Sequence, residues 1–168
     1  MTKQFYERMT QPFRDFPKLA KSVHRMNQLL TGIIALSFTG LLIALFWMKD
    51  AGLYRAIVVP LDGCLIVSAF RFFCNRQRPY EKFEIMPGIK KETKGKSFPS
   101  RHVFSAGIIT FTFFVQEEPV FLAMGIVLLA VTGLVSVIRV WTGIHYPSDI
   151  FGAWIAAILT GWLGFIVI

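Results

Sequence analysis

Two stretches of this chain, residues 29–48 and 120–138, run for twenty and nineteen residues without a charged side chain. As α-helix each covers about 30 Å, the thickness of a bilayer's hydrocarbon core. A soluble domain of 168 residues must cover itself with polar residues. Composition agrees: 54% of the residues are hydrophobic and 17% charged, where soluble domains carry about 25% charged residues. A water-soluble globular domain and a disordered chain are both excluded. The formal net charge is nevertheless +8. In so apolar a chain, that excess fits an anionic membrane surface or an anionic substrate better than nucleic acid.

Three further apolar runs complete the pattern. Residues 54–73 form a span interrupted by Pro60 and Asp62, residues 99–115 a shorter one, and residues 150–168 a last one. The expected fold is an all-α integral membrane bundle of about five transmembrane helices. Before it, Phe5, Met9, Phe13, Phe16, Leu19, Val23 and Met26 recur every three or four positions, with Lys3, Arg8, Arg14, Lys18, Lys21 and Arg25 between them. This spacing predicts an N-terminal amphipathic surface helix on anionic lipid, broken by Pro12 and Pro17. The expected division is therefore an interfacial segment, 1–28, and one membrane-embedded domain, 29–168. The first 28 residues hold no apolar core of a cleavable signal peptide. Cys64 and Cys74, ten residues apart on one expected helix, lie about 15 Å from each other, too far for a disulfide. Asp62, an acid within a span, is expected to hydrogen-bond inside the bundle beside the Pro60 break.

The remaining polar chemistry gathers at span ends. Arg71 and Arg78 are seven residues apart, two helical turns, and are expected to share one face as a clamp for an oxyanion, with Arg76 and Lys82 nearby. Pro99 and Ser100 open the third span, with Ser97 as its expected cap and Arg101 and His102 following. A helix start offers backbone N–H groups and a favourable dipole to an anion, and His102 would be a proton donor beside it. Arg139 ends the fourth span; His145 and Asp149, four apart, stand at the start of the fifth. A carboxylate on one imidazole nitrogen fixes the tautomer and leaves the other nitrogen as a nucleophile. Taken singly, each cluster also reads as a headgroup anchor, an interfacial histidine or a structural hydrogen bond. Five alternating spans bring all three to one membrane face. The set holds three arginines, two histidines and one carboxylate, with no metal-ligand cluster. Phosphoryl transfer, which needs mainly positioning and charge neutralisation, suits it.

In order, these motifs are Arg71-x6-Arg78-Pro79, Pro99-Ser100-Arg101-His102 and Arg139-x5-His145-x3-Asp149. They resemble the three-part signature of the type 2 phosphatidic acid phosphatases, relatives of bacterial acid phosphatases and vanadium haloperoxidases. The resemblance covers roughly residues 54–168. It implies that His145 attacks phosphorus to form a phosphohistidine, that Asp149 orients it, and that His102 protonates the leaving lipid oxygen. Arg71, Arg78, Ser100 and Arg139 would hold the phosphate oxygens, with Arg101 as a fourth guanidinium and no cofactor. Arg71 replaces the signature's Lys, Arg101 its Gly, and Ile138 a Ser. The expected substrate is a lipid phosphate such as phosphatidate, phosphatidylglycerophosphate or a polyprenyl diphosphate. The rival is a lipid-phosphate binder or transporter that uses the same clamp without turnover.

Six-span members of that family usually place the site on the outer membrane face. This chain is one early span shorter, which inverts the expectation if its N-terminus is inside. The N-terminal segment and the 75–97 loop each carry six Lys or Arg outside the catalytic set, whereas the opposite face has Lys49 and Arg55. The positive-inside rule then places the site in the cytoplasm of a multi-pass cell-membrane protein.

Overall fold

The computed structural model describes residues 2–89, 91 and 93–167. Its elements are α1 (Lys3–Asp15), α2 (Pro17–Met48), α3 (Leu53–Cys74), α4 (Pro79–Lys82), α5 (Arg101–Phe114), α6 (Pro119–Trp141) and α7 (Pro147–Gly161). A π-helical turn, Trp162–Val167, extends α7. Among the described residues α2, α3, α6 and α7 with its extension are long and apolar enough to cross a bilayer. Their outward faces carry exposed Leu36, Phe46, Leu65, Ile66, Val127 and Phe151, the apolar girdle a lipid environment requires.

The fifth helix, α5, has 14 residues, about 21 Å at the helical rise. It packs against α2, α3, α6 and α7, and its Val103, Phe104, Ala106, Ile108 and Phe113 are buried. Small residues allow this close approach. A Cβ on Gly63 of α3 would fall 2.8 Å from the Phe104 ring of α5 and 2.7 Å from Thr160 of α7. Pro60, Gly63, Val67 and Arg71 form the buried stripe of α3, at the spacing of one helical face. That phase turns Asp62 outward, where it is exposed, instead of into the bundle as its sequence context suggests. Cys64 and Cys74 are both free thiols.

The N-terminal region departs from the amphipathic reading in two ways. Phe16, whose helical conformation Pro17 disfavours, separates α1 from α2 with φ −124°. Pro17 then opens one continuous 32-residue helix that runs through residue 28 into the membrane span. The buried side of α1 consists of Tyr6, Thr10 and Phe13, and it is covered by protein. Tyr6 stacks on Phe83 at 5.6 Å and meets Tyr146 edge-on at 5.9 Å; Phe13 packs on Trp141 at 4.9 Å. A helical moment shows only that one face is apolar, and here the loops at the bundle end cover part of it.

Candidate active site

The C-terminal ends of α3 and α6 and the N-terminal ends of α5 and α7 meet on the side of the bundle that carries α1. Arg71 lies in the last turn of α3. The helix stops at Cys74, because Asn75 adopts a left-handed conformation with φ 35°. Arg78 therefore does not continue the Arg71 face as the seven-residue spacing suggests. It reaches the same place through a turn, as the N-cap of α4. Glu81 closes that turn by accepting from the Arg78 N–H at 3.2 Å and from the Gly95 N–H at 2.8 Å. Arg71, Arg78 and Arg139 are all buried, with exposures of 9%, 5% and 5%. Arg71 donates to the carbonyls of Pro99 and Ser97, and Arg78 Nε donates to the Gly95 carbonyl at 3.1 Å. Three guanidiniums so confined repel one another, and the site favours an anion among them.

At the other rim α6 ends at Trp141 and Gly143 turns the chain with φ 70°. The His145 N–H donates to the Arg139 carbonyl at 3.1 Å, and Tyr146 caps α7. Asp149 Oδ2 accepts the Tyr146 N–H at 2.9 Å, so the carboxylate that caps the helix also faces His145. His145 Nδ1 lies 3.3 Å from that oxygen, with 2% and 0% of the two side chains exposed. Nδ1–H is then the donor, and Nε2 presents its lone pair 3.3 Å from Arg78 Nη1. Burial pushes the His145 pKa down to about 4, beyond what the Asp149 hydrogen bond and charge raise it; Arg78 and Arg139 lower it further. The imidazole is neutral at pH 7, as a nucleophile must be.

Ser100 N-caps α5 and its N–H donates to the Asp149 carbonyl at 3.0 Å. Among the described residues three side-chain polar atoms are buried without a hydrogen-bond partner: Asn27 Oδ1 on α2, and Ser100 Oγ and Arg139 Nε at the site. Buried polar atoms of this kind are rare, and the two at the site belong to the expected phosphate set. His102 is half-buried in the first turn of α5, within electrostatic reach of Arg139, Lys91, Arg101 and His145. It lines a cavity of about 250 Å³ with Arg101, Ser105, Ile109, Thr31, Ala35 and Val135. Arg101 is itself exposed, apart from the buried trio, although its charge still acts on Arg71 and Arg78.

Three residues carry more than their sequence context suggested. Ser97, expected to cap α5, instead donates to Asp149 Oδ2 at 2.5 Å. Arg76 Nη1 contacts Asp149 Oδ1 and Ser148 Oγ, each at 2.9 Å, and its guanidinium lies 4.2 Å from the centre of the Tyr146 ring. Lys91, from the long polar loop, is held below the ordinary lysine pKa by burial and by the charges of Arg139, Arg78, Arg101 and Arg71. Only proximity to Arg78 hinted at Arg76. No local pattern marks Ser97 or Lys91, because the partners of both lie across the fold.

The family model described as the PAP2 superfamily matches residues 52–168. The bacitracin transport permease protein BcrC of Bacillus licheniformis is 23% identical over 166 residues, which cover 93% of this chain and 78% of that protein. The crystal structure of Aquifex aeolicus LpxE aligns with a TM-score of 0.71 at 20% identity, over 96% of this chain and 92% of that one. The transmembrane PAP2-type phosphatidylglycerolphosphate phosphatase of Bacillus subtilis aligns with a TM-score of 0.70 at 20% identity, over 96% and 83%.

Proposed function

Because the chain belongs to the PAP2 superfamily and is a multi-pass membrane protein, we propose that it is a lipid phosphate phosphatase working through His145 without a metal. The observation that carries this is the buried His145–Asp149 pair, 3.3 Å apart, among three buried arginines. Nε2 of His145 attacks phosphorus, and the bond from phosphorus to the lipid oxygen breaks. His102, protonated once the anionic phosphate lies beside it and offsets the neighbouring positive charges, gives that oxygen its proton. A water, deprotonated by His102, then attacks the phosphohistidine, releasing inorganic phosphate and free His145. Arg71, Arg78, Arg139 and the Ser100 hydroxyl neutralise and orient the phosphate oxygens. The cavity beside His102, walled by Ile34, Ala35, Ile109 and Val135, suits the first carbons of the leaving lipid, with Arg101 at the headgroup.

The test is phosphate release from phosphatidate, phosphatidylglycerophosphate and a polyprenyl diphosphate, with and without EDTA. Turnover of at least one that persists in EDTA supports the proposal. Wild type indistinguishable from His145→Ala on all three defeats it, leaving a lipid-phosphate binder or transporter, the class that the permease name of the Bacillus licheniformis relative would favour.

The depressed His145 pKa carries a sign. An ordinary histidine loses its nucleophile below about pH 6.5, whereas His145 stays neutral down to about 4. The acidic limb of kcat/KM assigned to this residue is expected near pH 4, and a limb near 6.5 would contradict its burial. Arg76 acts as a positioning residue, since its contact is to Asp149 and not to the reacting atoms. Losing one charge-assisted bond of about 1.5 kcal/mol lowers the rate roughly tenfold. Arg76→Ala is expected to lower kcat by that factor with little change in KM, and Arg76→Lys to restore part of it. A loss confined to KM would instead make Arg76 a substrate contact.

The same charge asymmetry supports a cytoplasmic site. Lys94→Cys, in a chain with Cys64→Ala and Cys74→Ala, is expected to resist an impermeant thiol reagent on intact cells and to react after lysis. Ready labelling of intact cells places the site outside.

A further inference from the structure

A second basic concavity lies beside the catalytic end and shares Lys91 with it. It has a volume of about 690 Å³; Arg14, Lys21, His24 and Lys91 line it, with Phe13 and Met86 in its apolar wall. Among the described residues none of the lining is acidic. We propose that this groove binds an anionic phospholipid that is not the substrate, with its phosphate among the basic residues and its first methylenes on the apolar wall.

The position of α2 supports this occupant. The apolar part of the helix starts at Leu29, after Asn27 and Gln28, so His24 and Lys21 stand about 8 and 12 Å beyond the hydrocarbon boundary on the helical rise. That is headgroup depth. A groove of several hundred cubic ångströms with an apolar wall and a few converging polar groups has the dimensions of a small-ligand site. Its charge selects an anion, and the apolar wall beside the basic residues selects a lipid over free phosphate. The inference rests on the membrane placement of α2 and is independent of phosphatase turnover.

Native mass spectrometry of the delipidated full-length protein in detergent tests it, with phosphatidylglycerol and phosphatidylcholine as probes. Phosphatidylglycerol has no terminal phosphomonoester, so hydrolysis does not confuse the reading. Wild type is expected to bind it about tenfold more tightly than phosphatidylcholine, and Arg14→Gln/Lys21→Gln to lose most of that preference, as the removal of two charge-assisted contacts would. Arg14 also donates to the Glu7 carbonyl at 3.0 Å, so Lys21→Gln alone is measured too and is expected to lose about threefold. Helix content by circular dichroism confirms that the variants are folded. Equal binding of the two lipids by wild type, an unchanged preference in both variants, or displacement of the lipid by equimolar inorganic phosphate would each overturn the proposal.

Discussion

His145→Ala is expected to abolish phosphate release from every lipid phosphate that the wild type hydrolyses, a fall of at least about four orders of magnitude. The side chain is the proposed attacking atom, and no described neighbour can replace it. Among the described residues His102 is the other histidine of the site, and its proposed role is on the leaving-group side. Binding is expected to survive, because Arg71, Arg78 and Arg139 remain. A lipid phosphate that binds to His145→Ala without turnover separates loss of chemistry from loss of fold. Retention of more than about one percent of the wild-type rate would remove His145 from the nucleophile's role. Acid-labile 32P on the wild type after a rapid quench, absent from the variant, would identify the intermediate directly.

Asp149→Asn is expected to cost about a hundredfold to ten-thousandfold in kcat. The carboxylate is fully buried and accepts from His145, Ser97, Tyr146 N–H and Arg76. An amide nearly matches its volume but presents N–H groups where only acceptors are needed. Whichever way the amide turns, one buried donor faces another, at Arg76 or at the His145–Ser97 side. The ring then favours the tautomer with its lone pair toward Asn, leaving Nε2 protonated and unable to attack. The pH profile supplies a second reading. Asp149 raises the His145 pKa through its hydrogen bond and its charge, so its loss moves any residual acidic limb below about pH 4. A variant with full rate and an unmoved limb would make the pair structural.

The division between sequence and tertiary structure runs through particular residues. Alternation of charge-free runs with polar turns showed which side chains stand at which helix ends, and hence that Arg71, Ser100, Arg139, His145 and Asp149 meet on one face. The His145–Asp149 contact was legible because both sit within one turn of a helix start that Pro147 marks. The Arg71–Arg78 pairing was legible as proximity but not as geometry: Asn75 ends the helix between them, and no seven-residue spacing reports a left-handed residue. Asp62 shows the same limit, since helical phase relative to the buried stripe, not apolar context, turned it outward.

By itself, then, the sequence determined a membrane-spanning all-helical chain with a basic, histidine-bearing end, because bilayer thickness and helical rise act on local runs of residues. Tertiary structure decided which polar atoms share a partner. Ser97 and Arg76 bond to Asp149 from 52 and 73 residues away; the loops that bring them there have no period to read. It also decided that α1 turns Tyr6 and Phe13 onto the protein. An apolar helix face is equally satisfied by lipid or by aromatic side chains, and only the folded neighbours distinguish the two.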